Sequence, residues 1–139
     1  MQSRGTAAEG ALLKMCLQEG IEAEHGSPSR PGDIIVPPNV IIELKDTMNS
    51  SYSFKQNGGS GKAQLAVLKG KIERFPWMEV FYVVRFHRKE WRYYLIPENP
   101  DPLRLKDGSP IASLLAMLKK KQAFLEDVLQ EAATGYSRF

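Results

Sequence analysis

Four charged residues in the first third of the chain have the types and order of a metal-dependent catalytic site. Glu9 lies in an alanine-rich segment, and Asp33 directly precedes a run of isoleucine and valine. Glu43 and Lys45 follow in the sequence VIIELKD, two residues apart. Carboxylates bind hard divalent ions such as Mg²⁺, which polarise a phosphoryl group and orient water for attack, while a neighbouring lysine stabilises the negative charge that develops. These residues predict metal-assisted attack of water on a phosphoryl group, provided that the fold brings them to one edge of a sheet.

Each of these residues also has a purely structural interpretation. Thr6 and Glu9 match a capping box at a helix start, yet Glu9 also falls on the apolar stripe of that helix, predicted at Leu12, Leu13, Cys16 and Leu17. Asp33 is compatible with a turn residue at the edge of a strand. Glu43 and Lys45 share one face of their strand, which is typical of a solvated face, although the preceding VII indicates that both faces are covered. On the residues alone, both interpretations stay open.

The apolar periodicity predicts three helices and five strands in the order αβββαββα. The helices are predicted at residues 6–19, 62–75 and 109–129, and Gly20 is the predicted C-cap of the first. The strands are predicted at residues 22–25, 33–36, 40–45, 78–86 and 91–96, with a long polar loop at 46–61. This order is typical of an α/β sandwich, in which a mixed sheet lies between helices.

Composition limits the class of protein. The 139 residues are 42% hydrophobic and 25% charged, as in a single globular domain. Apolar stretches are interrupted well short of the roughly 18 residues of a membrane span, and the N-terminal MQSRGTAAEG lacks the apolar core of a signal peptide. The single cysteine, Cys16, excludes an internal disulfide and is predicted to lie in the core. We expect a cytoplasmic or otherwise intracellular protein with no membrane partner, whose net charge of +3 permits a polyanionic one.

The ordered set of Glu9, Asp33 and Glu43-Leu44-Lys45 resembles the PD-(D/E)xK nuclease superfamily. Within it, four segments are similar to archaeal-type Holliday junction resolvases: RGTAAEGALLKMCLQEG, IIELKDT, KEWRYYLIPE and SPIASLLAMLKK. The similarity covers roughly residues 3–120, in order. It implies a restriction-endonuclease-like fold, with a central mixed five-stranded sheet flanked by helices. Residues 1–139 would form one nuclease domain. Residues 121–139 lie beyond the point where members of the family usually end, and would form a C-terminal extension.

The resemblance also implies a role for each site residue. It implies that a metal ion is bound by the carboxylates of Glu9, Asp33 and Glu43 and by the backbone carbonyl of Leu44. It also implies that Lys45 assists the attacking water. Gln64 matches a supporting glutamine of some members, and a mobile loop contributes a catalytic serine that corresponds to Ser29 or Ser27. One departure is that Gly32 separates Pro31 from Asp33, where the family usually has proline directly before the acid.

By this resemblance, we expect a Mg²⁺-dependent endodeoxyribonuclease that cuts four-way (Holliday) junctions by symmetric paired nicks, with Mn²⁺ as a substitute ion. The family is dimeric, and two symmetric cuts suit a homodimer. Contacts with DNA phosphates are expected from Arg4, Arg30, Lys55 and Lys62, and further from Lys69, Arg85, Arg88 and Arg92. Two alternatives stay open: another nuclease of the superfamily acting on duplex or branched DNA, of restriction or repair type, and a non-catalytic DNA-binding dimer.

Overall fold

A computed structural model describes residues 4–26, 33–54, 60–96 and 102–136, and only the backbone of residues 4–6, 60, 135 and 136. The helices of this part of the chain are α1 (Arg4–Gln18), α2 (Ser60–Arg74) and α3 (Ile111–Tyr136). Its strands are β1 (Glu24–His25), β2 (Ile34–Val36), β3 (Val40–Thr47), β4 (Ser51–Tyr52), β5 (Glu79–Phe86), β6 (Glu90–Leu95), β7 (Leu103–Arg104) and β8 (Ser109–Pro110). A short 3₁₀ helix at Leu105–Asp107 lies between β7 and β8.

Six of these strands form one mixed sheet in the order β1-β2-β3-β5-β6-β8. β3 and β5 are parallel along their full lengths, and the other pairs in this sheet are antiparallel. The crossover between the parallel strands contains α2, since parallel neighbours need a long connection. β4 and β7 form a separate antiparallel pair. The predicted mixed sheet is confirmed, with six strands rather than five because Ser109–Pro110 pairs with β6 instead of starting the last helix.

Helices cover both faces of the sheet and bury its central strands. On one face, α1 and α3 contribute to a core formed by Ala8, Leu12, Cys16, Leu114 and Leu118 with Ile42, Leu44, Phe81 and Val83. On the other face, α2 and the β4 region contribute to a second core formed by Leu65, Leu68, Tyr52 and Phe54 with Ile41, Tyr82 and Val84. Because side chains alternate along a strand, Leu44 faces α1 and α3, whereas Glu43 and Lys45 lie on the side of α2.

The boundaries of α1 show where local signals succeed and fail. Gly20 has a φ of 72° just after the helix, as predicted for a C-cap glycine. The helix already begins by Arg4, so Thr6 lies inside it and the predicted capping box is wrong. Leu17 is 77% exposed rather than part of the buried stripe. It lies about 100° around the helix from Cys16, which is the last buried residue of α1.

The last helix continues without interruption through the predicted C-terminal extension, as far as Tyr136. Gln122 connects this helix to the rest of the domain by three hydrogen bonds. Its Oε1 accepts from the Glu22 amide at 2.8 Å. Its Nε2 donates to the Glu22 carbonyl at 2.8 Å and to the Pro37 carbonyl at 2.9 Å. The predicted loop at 46–61 is partly strand, since β3 runs to Thr47 and β4 follows. Within the described residues, we find no helix with the length and apolar character needed to cross a bilayer.

Candidate active site

The candidate site forms where the N-terminal end of β2 lies beside β3. The Asp33 amide donates to the Ile42 carbonyl at 2.9 Å, just before β2 begins. Two residues further along β3, the Leu44 amide donates to Asp33 Oδ2 at 2.7 Å. The carboxylate thus takes the place of a backbone acceptor, which satisfies an amide that would otherwise lack a strand partner. This bond fixes the Asp33 side chain against β3.

Glu43 is almost completely buried beside Asp33. Only 2% of its side chain is exposed, and a charged carboxylate is rarely found in such surroundings unless it is paired. The two carboxyl groups are hydrogen-bonded to each other. Burial, and then the charge of Glu43, raises the pKa of Asp33 from 3.8 to about 7, because adjacent carboxylates resist joint ionisation. Asp33 therefore retains its proton at mildly acidic pH.

Lys45 completes this cluster from the same face of β3. Its Nζ lies 3.2 Å from Glu43 Oε2 and donates to Gln64 Oε1 at 2.5 Å. The centroid of the Tyr52 ring lies 5.7 Å from the same nitrogen. Only 15% of the lysine side chain is exposed. These contacts hold one ammonium group beside the two carboxyl groups, and Gln64 reaches it from α2.

Gly61 allows the first turn of α2 to approach the cluster. A Cβ at this position would lie 2.9 Å from the Phe54 carbonyl oxygen and 3.3 Å from the Tyr52 hydroxyl. The first distance is shorter than real Cβ contacts, so only glycine fits without a shift of the backbone. Gln64 follows Gly61 by about one helical turn. The close approach at Gly61 therefore sets how near Gln64 comes to Lys45.

Glu9 is paired with a histidine rather than with the other acids. Its Oε1 lies 2.5 Å from His25 Nδ1, and the side chains are 21% and 64% exposed respectively. The residue after His25, Gly26, donates its amide to the Asp33 carbonyl at 2.9 Å, so His25 lies on β1, the strand that adjoins Asp33, while Glu9 reaches it from α1. Across the described ranges, no group of three Asp, Glu, His or Cys side chains is close enough to hold a metal ion. The structure brings Asp33, Glu43, Lys45 and Gln64 together and leaves Glu9 paired with His25 at their border.

Several predicted site residues fall outside the part of the chain that the structure describes. These are Ser27, Ser29, Arg30 and Lys55, together with the side chain of Arg4. Lys62 is described and is exposed on α2. The roles of Arg4, Arg30, Lys55 and Lys62 as phosphate contacts, and of either loop serine, therefore stay predictions.

Arg85, predicted as a phosphate contact, is instead part of the sheet. Its guanidinium donates to both carboxylate oxygens of Asp46, at 3.1 and 2.7 Å, and lies 5.6 Å from the centroid of the Trp91 ring. Only 12% of its side chain is exposed. A two-point bond to a buried carboxylate is among the strongest pairings available to arginine, so this side chain stabilises the neighbouring strands rather than facing solvent.

Tyr82 belongs to the site and is not identified by the sequence pattern. It is in register with Glu43 across the parallel strands β3 and β5. Burial, and then the negative charge of Glu43, raises the pKa of its hydroxyl. In the sequence, Tyr82 is part of the apolar run VFYVV, which predicts a buried strand without indicating that a hydroxyl faces the acids. The parallel register is the signal that locates it, and that register is visible only in the folded chain.

No family model matches the sequence, and the search of curated proteins finds no match. Among solved structures, the chain is similar to the 1.6 Å structure of Hjc, a Holliday junction resolvase from the archaeal hyperthermophile Archaeoglobus fulgidus. The alignment covers 82% of this chain and 97% of that chain, with a TM-score of 0.62 and 19% sequence identity. The chain has the fold of an archaeal Holliday junction resolvase. The restriction-endonuclease-like fold implied by the sequence resemblance is therefore confirmed.

Proposed function

We propose that the protein is a metal-dependent endonuclease that cuts four-way DNA junctions by symmetric paired nicks. The observation that supports this most directly is the contact of Asp33, Glu43 and Lys45 on neighbouring strands, in a fold similar to that of a junction resolvase. Paired carboxylates suit a divalent cation, and a fixed ammonium group suits the negative charge of a phosphoryl transition state.

The carboxyl pair suits Mg²⁺, and Mn²⁺ as its substitute. Mg²⁺ is usually held by one or two carboxylates and keeps several waters, so Asp33 and Glu43 with the Leu44 carbonyl would be enough to hold it. The raised pKa of Asp33 supports this assignment, because a cation would relieve the repulsion between the two carboxylates. Glu9 would join them by exchanging its contact with His25 for the ion. Bound there, the ion would polarise the phosphoryl group and neutralise part of its charge.

Lys45 is the residue to which we assign stabilisation of the developing negative charge. Glu43 and Gln64 already hold its Nζ in one position, so little reorganisation is needed as the phosphoryl group reacts. We assign to the same ammonium group the orientation of the attacking water. Gln64 then acts as the residue that positions Lys45, while the loop serine, Ser29 or Ser27, stays a predicted contributor to cleavage.

Exposed basic side chains near the site are proposed to contact DNA phosphates. Lys62 is exposed at the start of α2, and Arg88 and Lys89 are exposed in the turn between β5 and β6. The His87 amide of this turn donates to the Thr47 carbonyl at 2.9 Å, which holds the turn beside the end of β3. Contacts with phosphates carry no base information, so binding should depend strongly on salt and weakly on sequence.

A homodimer is proposed because symmetric nicks in two strands need two sites in a fixed relation. Exposed apolar side chains on α2 and α3 are the candidates for the contact between protomers: Val67, Met117, Phe124, Val128 and Leu129. Sedimentation of the free protein should give twice the chain mass of 15.6 kDa. A monomer at micromolar concentration, both free and with a junction, would contradict the dimer without affecting the assignment of the site.

Cleavage of synthetic DNA tests the proposed function. The protein is incubated with Mg²⁺ and a four-way junction, a flap or a linear duplex of the same sequence. We expect paired nicks at symmetric positions of opposing junction strands and no cleavage in EDTA. Equal cleavage of linear duplex would indicate another nuclease of the superfamily. Junction binding without cleavage in Mg²⁺ or Mn²⁺ would indicate a non-catalytic DNA-binding protein.

A further inference from the structure

The hydroxyl of Tyr82 is a buried polar group beside the carboxyl pair, and no described residue hydrogen-bonds with it. The residue is fully buried, and its hydroxyl oxygen has no partner within the described ranges. Its backbone lies directly beside that of Glu43 in the parallel register of β3 and β5. A dry hydroxyl without a hydrogen bond is unfavourable, and phenylalanine would have the same shape without this cost. The hydroxyl is therefore a candidate for a functional role beyond packing.

Aromatic packing restricts the Tyr82 ring. Its centroid lies 5.5 Å from that of Phe54, with an angle of 77° between the rings. Phe54 is packed in turn on Tyr52, at 5.4 Å and 83°, and the Tyr52 ring lies beside Lys45 Nζ. These edge-to-face contacts link Tyr82 to the site. The hydroxyl therefore stays on the same side of the sheet as the carboxyl pair.

The hydroxyl is available as a hydrogen-bond donor. A phenol has an ordinary pKa of about 10, and burial and then the negative charge of Glu43 raise the pKa further, so the hydroxyl stays protonated over the working range of a nuclease. Hydrogen bonds from a hydroxyl to a carboxylate are shorter and stronger than those between neutral groups. Lys45 Nζ lies against one oxygen of Glu43, Oε2. A further donor would therefore restrict the orientation of the whole carboxylate.

We propose that Tyr82 is a positioning residue for Glu43, whose carboxylate it holds by a hydrogen bond when a divalent cation is bound at the site. This inference rests on the proposed metal site. Residues that bond to a metal-binding side chain without touching the metal typically change metal affinity by about 10- to 100-fold. Tyr82 thereby increases the affinity of the site for a cation without adding a ligand to it.

Titration of Mn²⁺ into the full-length protein tests this role, with Tyr82→Phe compared with the wild type by calorimetry without DNA. Tyr82→Phe keeps the ring and removes the hydroxyl, so we expect Mn²⁺ affinity to fall about tenfold. The melting temperature of the metal-free protein should be unchanged or higher, and junction binding in EDTA should be unchanged. Cleavage by the variant should approach the wild-type rate at saturating Mn²⁺. The matched control is Tyr94→Phe, whose hydroxyl donates to the Arg104 carbonyl, and it should keep wild-type Mn²⁺ affinity.

The outcomes separate this inference from the proposed function. Equal Mn²⁺ affinity in the wild type and Tyr82→Phe would overturn the role of Tyr82 and leave the metal site intact. A lower melting temperature of metal-free Tyr82→Phe would also overturn it, because the hydroxyl would then be bonded without a cation. Failure of the wild type to bind Mn²⁺ at all would overturn the proposed metal site itself.

Discussion

The carboxyl groups of Asp33 and Glu43 are hydrogen-bonded to each other where β2 begins beside β3. Neither group is well solvated, since Asp33 is partly buried and Glu43 is buried. Two such carboxyl groups lower the stability of a folded protein when both are ionised. Their proximity is therefore unfavourable when both are ionised, and the proposed cation would relieve this repulsion.

Asp33→Asn should stabilise the metal-free protein. The pKa of Asp33 is about 7 in the folded state and 3.8 as its ordinary value. The folded state therefore binds more protons between these values, and wild-type stability falls as the pH rises from about 4 to about 7. Asparagine stays neutral and still accepts the Leu44 amide hydrogen bond. The gain in free energy of unfolding, measured by urea denaturation in EDTA, should be smallest near pH 4 and constant above pH 7.

The exposed Glu126 on α3 provides the control. Glu126→Gln removes one acid from an exposed position on α3 and should leave the wild-type pH profile unchanged. If Asp33→Asn were less stable than the wild type at pH 8, the inference that the contact between Asp33 and Glu43 lowers stability would be wrong.

Asp33→Ala and Glu43→Ala should abolish cleavage while junction binding survives, because phosphate contacts rather than the metal are expected to dominate affinity. Gel-shift and cleavage assays on the same junction separate the two properties. Normal cutting in Mg²⁺ by either variant would contradict the assignment of the site.

Lys45→Ala should lose turnover and keep metal binding. The lysine stabilises charge in the proposed reaction, and loss of one such donor typically lowers kcat by about 10²–10³-fold. Mn²⁺ affinity should stay within a few-fold of the wild type, since the carboxyl pair remains. Parallel loss of Mn²⁺ affinity and kcat would show that Lys45 acts by supporting the carboxylates instead.

Local periodicity predicted much of the framework of the site. The two-residue alternation of β3 correctly placed Glu43 and Lys45 on the face opposite Leu44, because strand alternation is a property of the chain itself. Contacts between distant segments were not predictable in this way. β4 and β7 have two residues each, too few to show a period, and they pair only because the fold brings Tyr52 beside Leu103.

The same limit applies to the site. The sequence identified the acids and Lys45 by residue type and order, but the pairing of Glu9 with His25 depends on how α1 lies on the sheet. The sequence predicted Tyr82 only as part of a buried apolar strand, because a hydrophobic pattern reflects the ring of tyrosine and does not indicate the direction of its hydroxyl. Groups whose roles depend on tertiary register therefore need the structure.

Gly61→Ala should destabilise the protein although alanine favours helices. Its Cβ would lie 2.9 Å from the Phe54 carbonyl oxygen, and overpacking of this kind costs about 1–3 kcal/mol. This exceeds the gain of about 0.5–1 kcal/mol that alanine gives within a helix. The shift of α2 should also draw Gln64 away from Lys45, so kcat should fall while junction affinity is retained.

Gly70→Ala in the same helix is the matched control. No atom lies within 4 Å of a Cβ at that position, so this variant should raise the free energy of unfolding by about 0.5–1 kcal/mol. Thermal denaturation of both variants, beside their cleavage rates, measures the difference. Equal stabilisation by the two substitutions would show that α2 does not need the close approach at Gly61.

Arg88→Gly should weaken junction binding without destabilising the protein. His87 and Arg88 have φ values of 53° and 61°, in a turn closed by the Lys89 amide on the Phe86 carbonyl at 3.1 Å. Turns with two left-handed residues favour asparagine and glycine, so a histidine and an arginine here are conformationally unfavourable. Glycine removes this strain at Arg88 and also removes an exposed cation beside the end of β3.

Junction affinity is measured at several salt concentrations for the wild type, Arg88→Gly and Arg88→Lys. Loss of one phosphate contact should reduce the slope of log affinity against log salt by about 0.9, whereas Arg88→Lys should keep most of it. The exposed Lys120 on α3 is the control for a general charge effect, and Lys120→Ala should keep the wild-type slope. If Arg88→Gly binds as the wild type does, the turn does not contact the phosphates and its strain has no part in binding. If affinity falls while the melting temperature rises, Arg88 contributes to DNA binding at the cost of an unfavourable backbone conformation in this turn.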